Sequence, residues 1–367
     1  MKLATFHNKI QGAFFKQGWL LPAVLPPTQL SGRALFNVVA GIYTFWGLLS
    51  LWSRWQQLDR TTALLYLVLL SVFLLGIPGA AEPAAALRIW GMFLMQSLTL
   101  LLTQVALRES PNQLDRLLNI MALFGGITLA GLYVLLTSYV FGKCGQPFDH
   151  SRQLQEDNLP FLLPFMLGWF WRHGQGRWRH GAMASAIAAS AGYVVLSEGR
   201  AALLGLSMGL AIFYWTVLSW RPLWITLLMI LVLGMSIVAN TGPFRKAAMD
   251  PEHPLDAFTT GRTILWRQAL TYPPTRPWLG IGIGNGFQAR QVLNFEINGD
   301  RVQVKHLHNF LMDAWYETGS LGLGTLLALI GTVLGRLAWM WQRLSAEDRQ
   351  RAGVLLAKLA ELLTAAL

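Results

Sequence analysis

Charge is scarce in this chain. Only 13% of its 367 residues are Asp, Glu, Lys or Arg, about half the roughly 25% that soluble domains carry. So little charge excludes an ordinary water-facing globule and fits an exterior that meets lipid. Cysteine is scarcer still. The lone Cys144 excludes an intrachain disulfide and a cysteine-built metal cage. Lys2, Lys9 and Lys16 near the start are followed by no small-residue cleavage site, so no cleavable leader is expected. Repeats and low-complexity tracts are missing too.

What is present is apolar. Hydrophobic residues make up 54% of the chain, mean hydropathy is +0.42, and 16 residues are Trp, a side chain that favours the water–lipid boundary. A net charge of +11 in a soluble protein would suggest nucleic acid; here the cations are first assigned to loops, and no nucleic-acid partner is expected.

A spanning helix needs about 20 apolar residues. The sequence predicts spans near Ala34–Trp52, Thr61–Ala80, Ala84–Leu107, Leu117–Val140, Ala182–Ser197, Ala201–Ser219, Leu223–Asn240 and Phe310–Trp341. Proline-broken stretches at Gly18–Thr28 and Leu159–Trp171 and a final stretch at Ala352–Leu367 bring the count to eleven. The fold class is therefore all-α, a polytopic transmembrane bundle of about 11–12 spans. It divides into residues 1–240 (about nine spans), a polar segment 241–306 with short helices, and C-terminal helices in 307–367.

With the N-terminus in the cytoplasm, the cytoplasmic connections collect Arg54, Arg60, Arg108, Arg116, Arg172, Arg177, Arg179, Arg221, Arg343, Arg349 and Arg351. The short outer connections hold fewer: Arg33, Lys143, Arg152 and Arg200. That asymmetry follows the positive-inside rule. It puts the polar segment, the Ser197–Arg200 junction and Cys144 outside.

Three polar groupings lie on that outer face. Glu198 and Arg200 sit between two apolar runs. Either they pair with each other or Arg200 reaches lipid phosphate, or else Arg200 lines a cavity for an anionic substrate. Gly261–Leu270 predicts an amphipathic helix capped by Thr259 or Thr260, with Ile264, Leu265 and Trp266 resting on the membrane and Arg262 pointing elsewhere. Gly280, Gly282, Gly284 and Gly286 alternate through the next stretch. Their spacing does not fit a dinucleotide-binding turn. They let backbone run close to a helix, expose N–H groups to an anion, or form a flexible loop.

The third grouping is His306-Leu307-His308-Asn309 at the start of the longest helix. No cysteines or clustered carboxylates complete a metal site around the histidines, and no cofactor is expected. An imidazole with an ordinary pKa near 6.5 suits proton acceptance, while a histidine capping the helix is the structural alternative. Asn309, Asp313 and Glu317 recur every four residues, one polar stripe predicted to face the bundle interior.

Ser197-Glu198-Gly199-Arg200-Ala201, then Gly261-Arg262 through Leu270 with Pro277-Trp278-Leu279-Gly280-Ile281-Gly282, then His308-Asn309 followed by Gly319 and Gly322, together resemble the O-antigen ligase superfamily. The most specific piece is His308-Asn309, nine residues, Gly319, two residues and Gly322. The specific signal is confined to about residues 197–322.

The resemblance implies a metal-independent, inverting glycosyltransferase of a bacterial inner membrane with its active site facing the periplasm. Its donor would be an undecaprenyl-pyrophosphate-linked glycan and its acceptor a sugar hydroxyl of lipid A–core, giving lipopolysaccharide. On matching positions Arg200 and Arg262 would bind pyrophosphate and His308 would act as base or orient the acceptor. His306, Arg267, Arg290, Asn309 and Glu198 rank second. The family commonly has twelve spans, one more than the count here. O-antigen polymerases and protein O-oligosaccharyltransferases of the same superfamily use the same donor type, and a transporter of a lipid-linked anion is the reading from a different class.

Overall fold

The structure is a computed structural model. It describes residues 9, 11–14, 16–18, 20, 33–51, 55–110, 112–140, 162–196, 200–218, 262–284, 295–297, 300–302 and 307–365. Among these, the helices are α1 (Arg33–Leu51), α2 (Arg60–Gly76), α3 (Pro83–Glu109), α4 (Gln113–Val140), α5 (Leu163–His173), α6 (Gly176–Leu196), α7 (Arg200–Thr216), α8 (Arg262–Thr271), α9 (Phe310–Trp341) and α10 (Ala346–Ala365). The chain is all-α apart from one antiparallel hairpin, β1 (Phe295–Ile297) with β2 (Asp300–Val302), paired so that Glu296 faces Arg301. Among the described residues, four helical segments are long and apolar enough to cross a membrane: Arg60–Gly79, Pro83–Arg108, Gln113–Val134 and Phe310–Trp341. The chain is a polytopic membrane protein. The predicted span Leu223–Asn240 and Cys144 lie outside the described residues.

Two compact units emerge. The first comprises residues 1–57, 102–235 and 343–365. Its core joins α4, α5, α6, α7 and α10 through Leu163, Met166, Leu167, Ala186, Leu206, Phe213, Val354 and Ala357. α10 packs along α7 because both faces carry small residues: Gly209 lies against Ala357 and Glu361, and Gly353 against Thr216. This is a membrane-type interface, where small side chains allow close helix approach. Asp115 at the start of α4 accepts from Arg172 Nη1 and Arg351 Nε, each at 2.8 Å, tying α4, α5 and α10 at one end.

The second unit comprises residues 58–101, 236–342 and 366–367. α2 and α9 run antiparallel in it. Asp59, which caps α2 by accepting from the Thr62 N–H, pairs with Arg336 late in α9. Burial alone would push the Asp59 carboxyl up. The Thr62 and Arg336 hydrogen bonds outweigh it and hold the group below the usual carboxylate range. At the other end of α2, Arg276 Nη2 donates to the Gly76 carbonyl at 3.1 Å. Leu69 and Phe73 of this helix and Ile77 just past its end pack with Ala86 and with Ile283 of the glycine stretch.

That stretch is wedged against α9 where the helix breaks. Gly319 has φ 67 and ψ −171, outside helical values. The break frees carbonyls, and the glycine stretch takes them up. Ile281 N–H donates to the Tyr316 carbonyl at 3.1 Å and Gly282 N–H to that of Glu317 at 2.9 Å. In return Ser320 N–H donates to Pro277 and Leu321 N–H to Trp278. Gly280 has φ 67, and a Cβ on it would overlap the Glu317 carbonyl carbon. One on Gly319 would overlap that of Trp278. Both positions therefore exclude side chains twice, by backbone conformation and by space.

Alanine at Gly280 or Gly319 should cost more than about 1 kcal/mol, seen as a lower thermal unfolding midpoint of the purified protein in detergent. Gly324→Ala, with open space around it, should leave the midpoint unchanged or raise it.

Candidate functional site

The candidate residues of the second unit gather at the end where the glycine stretch packs. α8 carries Arg262 in its first turn and Trp266 one turn later, on the same face. Leu265 and Ala269 form a small core with Ile281, Leu307 and Tyr316, and Ile264 and Trp266 pack against it. The expectation that this apolar face rests on the membrane is therefore corrected. It is covered by the glycine stretch and by the entry to α9, which offer a closer fit to the ring and branched side chains than lipid does. Tyr316 closes the arrangement by donating its hydroxyl to the Tyr272 carbonyl at 2.9 Å.

The backbone around His308 is held from both sides. Leu307 is buried, and its N–H donates to Asp313 Oδ1 at 2.8 Å. Its carbonyl accepts from the Trp266 indole N–H, also at 2.8 Å. Asn309 then caps α9, its side-chain oxygen accepting from the Leu311 and Met312 N–H groups at 3.1 Å. The helix cap is thus Asn309 and not a histidine.

Between these fixed neighbours His308 has φ 55, a left-handed conformation that costs an L-residue on the order of 1–2 kcal/mol. Such a residue persists only where its surroundings over-determine it, and such positions cluster at functional sites. The imidazole is exposed. A side chain presented to solvent on an immobilised backbone is suited to meeting a substrate. Through Trp266 the same contact couples the placement of His308 to α8, the helix that carries Arg262.

The polar stripe of α9 faces these covering segments and not an apolar bundle interior. Asn309 caps, Asp313 takes the Leu307 N–H, and Glu317 Oε2 accepts from Gly284 N–H at 2.8 Å. Backbone donors satisfy carboxylates that lipid would leave bare. The glycine amides at 282 and 284 are likewise spent on α9, so of the readings open for that stretch the close approach to a helix is the one realised.

Arg267 is exposed on α8. Arg200 is the first residue of α7, in the other unit. Glu198, Arg290 and His306, like the Thr259 and Thr260 caps, lie outside the described residues. No group of three or more metal-ligating side chains occurs among the described residues. Trp266 and Asp313 were not singled out for this role by the sequence.

Residues 184–327 match the model of the family described as O-antigen ligase. Over this segment the chain is similar to the O-antigen ligase family. The matched segment starts within α6, contains Arg200, Arg262 and His308, and ends inside α9, just beyond the break at Gly319. No curated protein and no solved structure matches the chain.

Trp266→Phe keeps a ring and removes the donor to Leu307, a loss of about 1 kcal/mol. Hydrogen exchange of the amides at 307–312 should quicken in this variant and in Asp313→Ala, while α2 exchanges as before. Unchanged exchange at 307–312 would mean that these two groups do not fix the His308 backbone.

Proposed function

We propose that this chain is an O-antigen ligase that transfers a glycan from undecaprenyl pyrophosphate to a sugar hydroxyl of lipid A–core, at the periplasmic face of a bacterial inner membrane. The observation that carries the reading is the exposed His308, held in a left-handed backbone conformation by Trp266 and Asp313 within the family-matched segment. A structural histidine has no need of such a costly mount. A base that must meet an incoming hydroxyl does.

In this scheme the His308 imidazole accepts the proton of the acceptor hydroxyl. The hydroxyl oxygen attacks the anomeric carbon, the bond from that carbon to the pyrophosphate oxygen breaks, and the electron pair leaves with the pyrophosphate. Attack opposite the leaving group inverts the anomeric centre. Arg200 and Arg262 hold the pyrophosphate, since a guanidinium offers a two-point, permanently charged grip that strengthens as charge grows on the leaving group. No metal ion is needed for this. Asn309 shapes the turn that carries the base. Arg267, Arg290 and His306 stand as further contacts to the charged donor, and Glu198 as a second-rank candidate beside Arg200.

A lipid-linked anion transporter would need the arginines and not the imidazole. Reconstitution with a polyprenyl-pyrophosphate glycan tests this. His308→Ala should still retain donor, while product formation falls by about 10²–10⁴; product at the parental rate would exclude the base. Arg200→Lys and Arg262→Lys should each weaken donor use, because an ammonium cannot reproduce the fork, and activity should survive chelator. Offering lipid A–core, a free glycan and a protein in parallel separates ligase from polymerase and protein O-oligosaccharyltransferase.

A further inference from the structure

The hairpin between α5 and α6, in the first unit, has no part in the chemistry above. Within the twelve residues 169–180 it carries Trp169, Trp171 and Trp178, Arg172, Arg177 and Arg179, and no Asp or Glu. The connection is tight. α5 closes with Gly174 N–H donating to the Phe170 carbonyl at 2.8 Å, and Gly176, with φ 53, starts α6. All three arginines therefore lie near one turn, at the joint end of two helices whose other residues are mostly apolar.

Their situations differ. Arg172 is neutralised by Asp115 at 2.8 Å. Arg179 lies with its guanidinium carbon 4.0 Å from the centre of the Trp171 ring, and its Nε is buried without a hydrogen-bond partner among the described residues. Arg177 is exposed, and no carboxylate among the described residues pairs with Arg177 or Arg179. His173 stacks on Trp169 with ring centres 5.1 Å apart. Trp178 is 88% exposed in the first turn of α6. The turn thus carries two guanidiniums without a carboxylate partner among the described residues, beside an exposed indole.

We infer that this hairpin, residues 169–180, is a seat for the headgroup of an anionic phospholipid. Phosphate oxygens supply the counter-charge for Arg177 and Arg179, which have no carboxylate partner among the described residues. The glycerol and upper acyl region cover Trp178, since indoles settle at headgroup depth. Charge asymmetry between loops would explain arginines at this turn. It does not by itself place an exposed indole between two of them in the chain. A zwitterionic headgroup fits less well, because its ammonium meets the two guanidiniums. The inference is independent of the transfer reaction proposed above.

The test is native mass spectrometry of the full chain, released from detergent after incubation with phosphatidylglycerol or phosphatidylcholine. The parent should retain phosphatidylglycerol about thirtyfold more than phosphatidylcholine, the scale set by two cations at about 1 kcal/mol each at a membrane surface. Arg177→Gln/Arg179→Gln should bring retention down to the phosphatidylcholine level. Should that double variant fail to fold, Trp178→Ala, a change at a solvent-facing side chain, must lower retention on its own. Equal retention of the two lipids by the parent would overturn the proposal. So would undiminished phosphatidylglycerol on a folded variant, or its full displacement by inorganic phosphate.

Discussion

Gly280 and Gly319 face each other across a contact between two backbones, and the geometry of the second unit depends on it. α9 is interrupted inside an apolar segment, where a freed carbonyl has no water to turn to. The glycine stretch supplies amides to that break and receives amides back from the next turn of the helix. Side chains at either glycine would hold the two backbones apart. With the stretch docked, Ile283 fills the space beside α2, and Tyr316 reaches the carbonyl of Tyr272. Tyr272 immediately follows α8, and α8 brings Trp266 to Leu307. The position of His308 is thus the last link of a sequence of contacts that begins with two missing Cβ atoms.

In this light the family-like signature is as much about backbone as about chemistry. Of the residues His308, Asn309, Gly319 and Gly322, only the first presents a reactive side chain. Asn309 closes the helix start. Gly319 makes the break, and Gly322 lies one turn on, where a Cβ would overlap the Thr318 hydroxyl. Thr318 in turn donates back to the Ala314 carbonyl, a bond that bends helices. Spacing is maintained here because a backbone path must be maintained.

Some of this was legible in the chain and some was not. Runs of about 20 apolar residues sufficed for the helices at Thr61–Ala80, Ala84–Leu107, Leu117–Val140 and Phe310–Trp341, since length and hydropathy alone decide whether a helix can span. The polar stripe Asn309, Asp313 and Glu317 was visible from its four-residue spacing. Its partners were not, because they are backbone amides, and every residue but proline has one. Likewise the apolar face of α8 was readable as a face, while periodicity does not distinguish lipid from protein as its cover. The alternating glycines left a close approach, an anion nest and a loose loop equally open. Only the presence of Glu317 and the Gly319 break across from them settles which applies.

Composition and order therefore determined that the chain is a membrane helix bundle and which residues carry the family motif, because apolar length and residue spacing are local properties. Tertiary structure decided that His308 stands exposed in a left-handed backbone conformation, that Trp266 and Asp313 hold it there, and that the glycines serve packing. Those outcomes rest on hydrogen bonds between residues such as 266 and 307 or 282 and 317, far apart in the chain, and no local pattern encodes such a meeting.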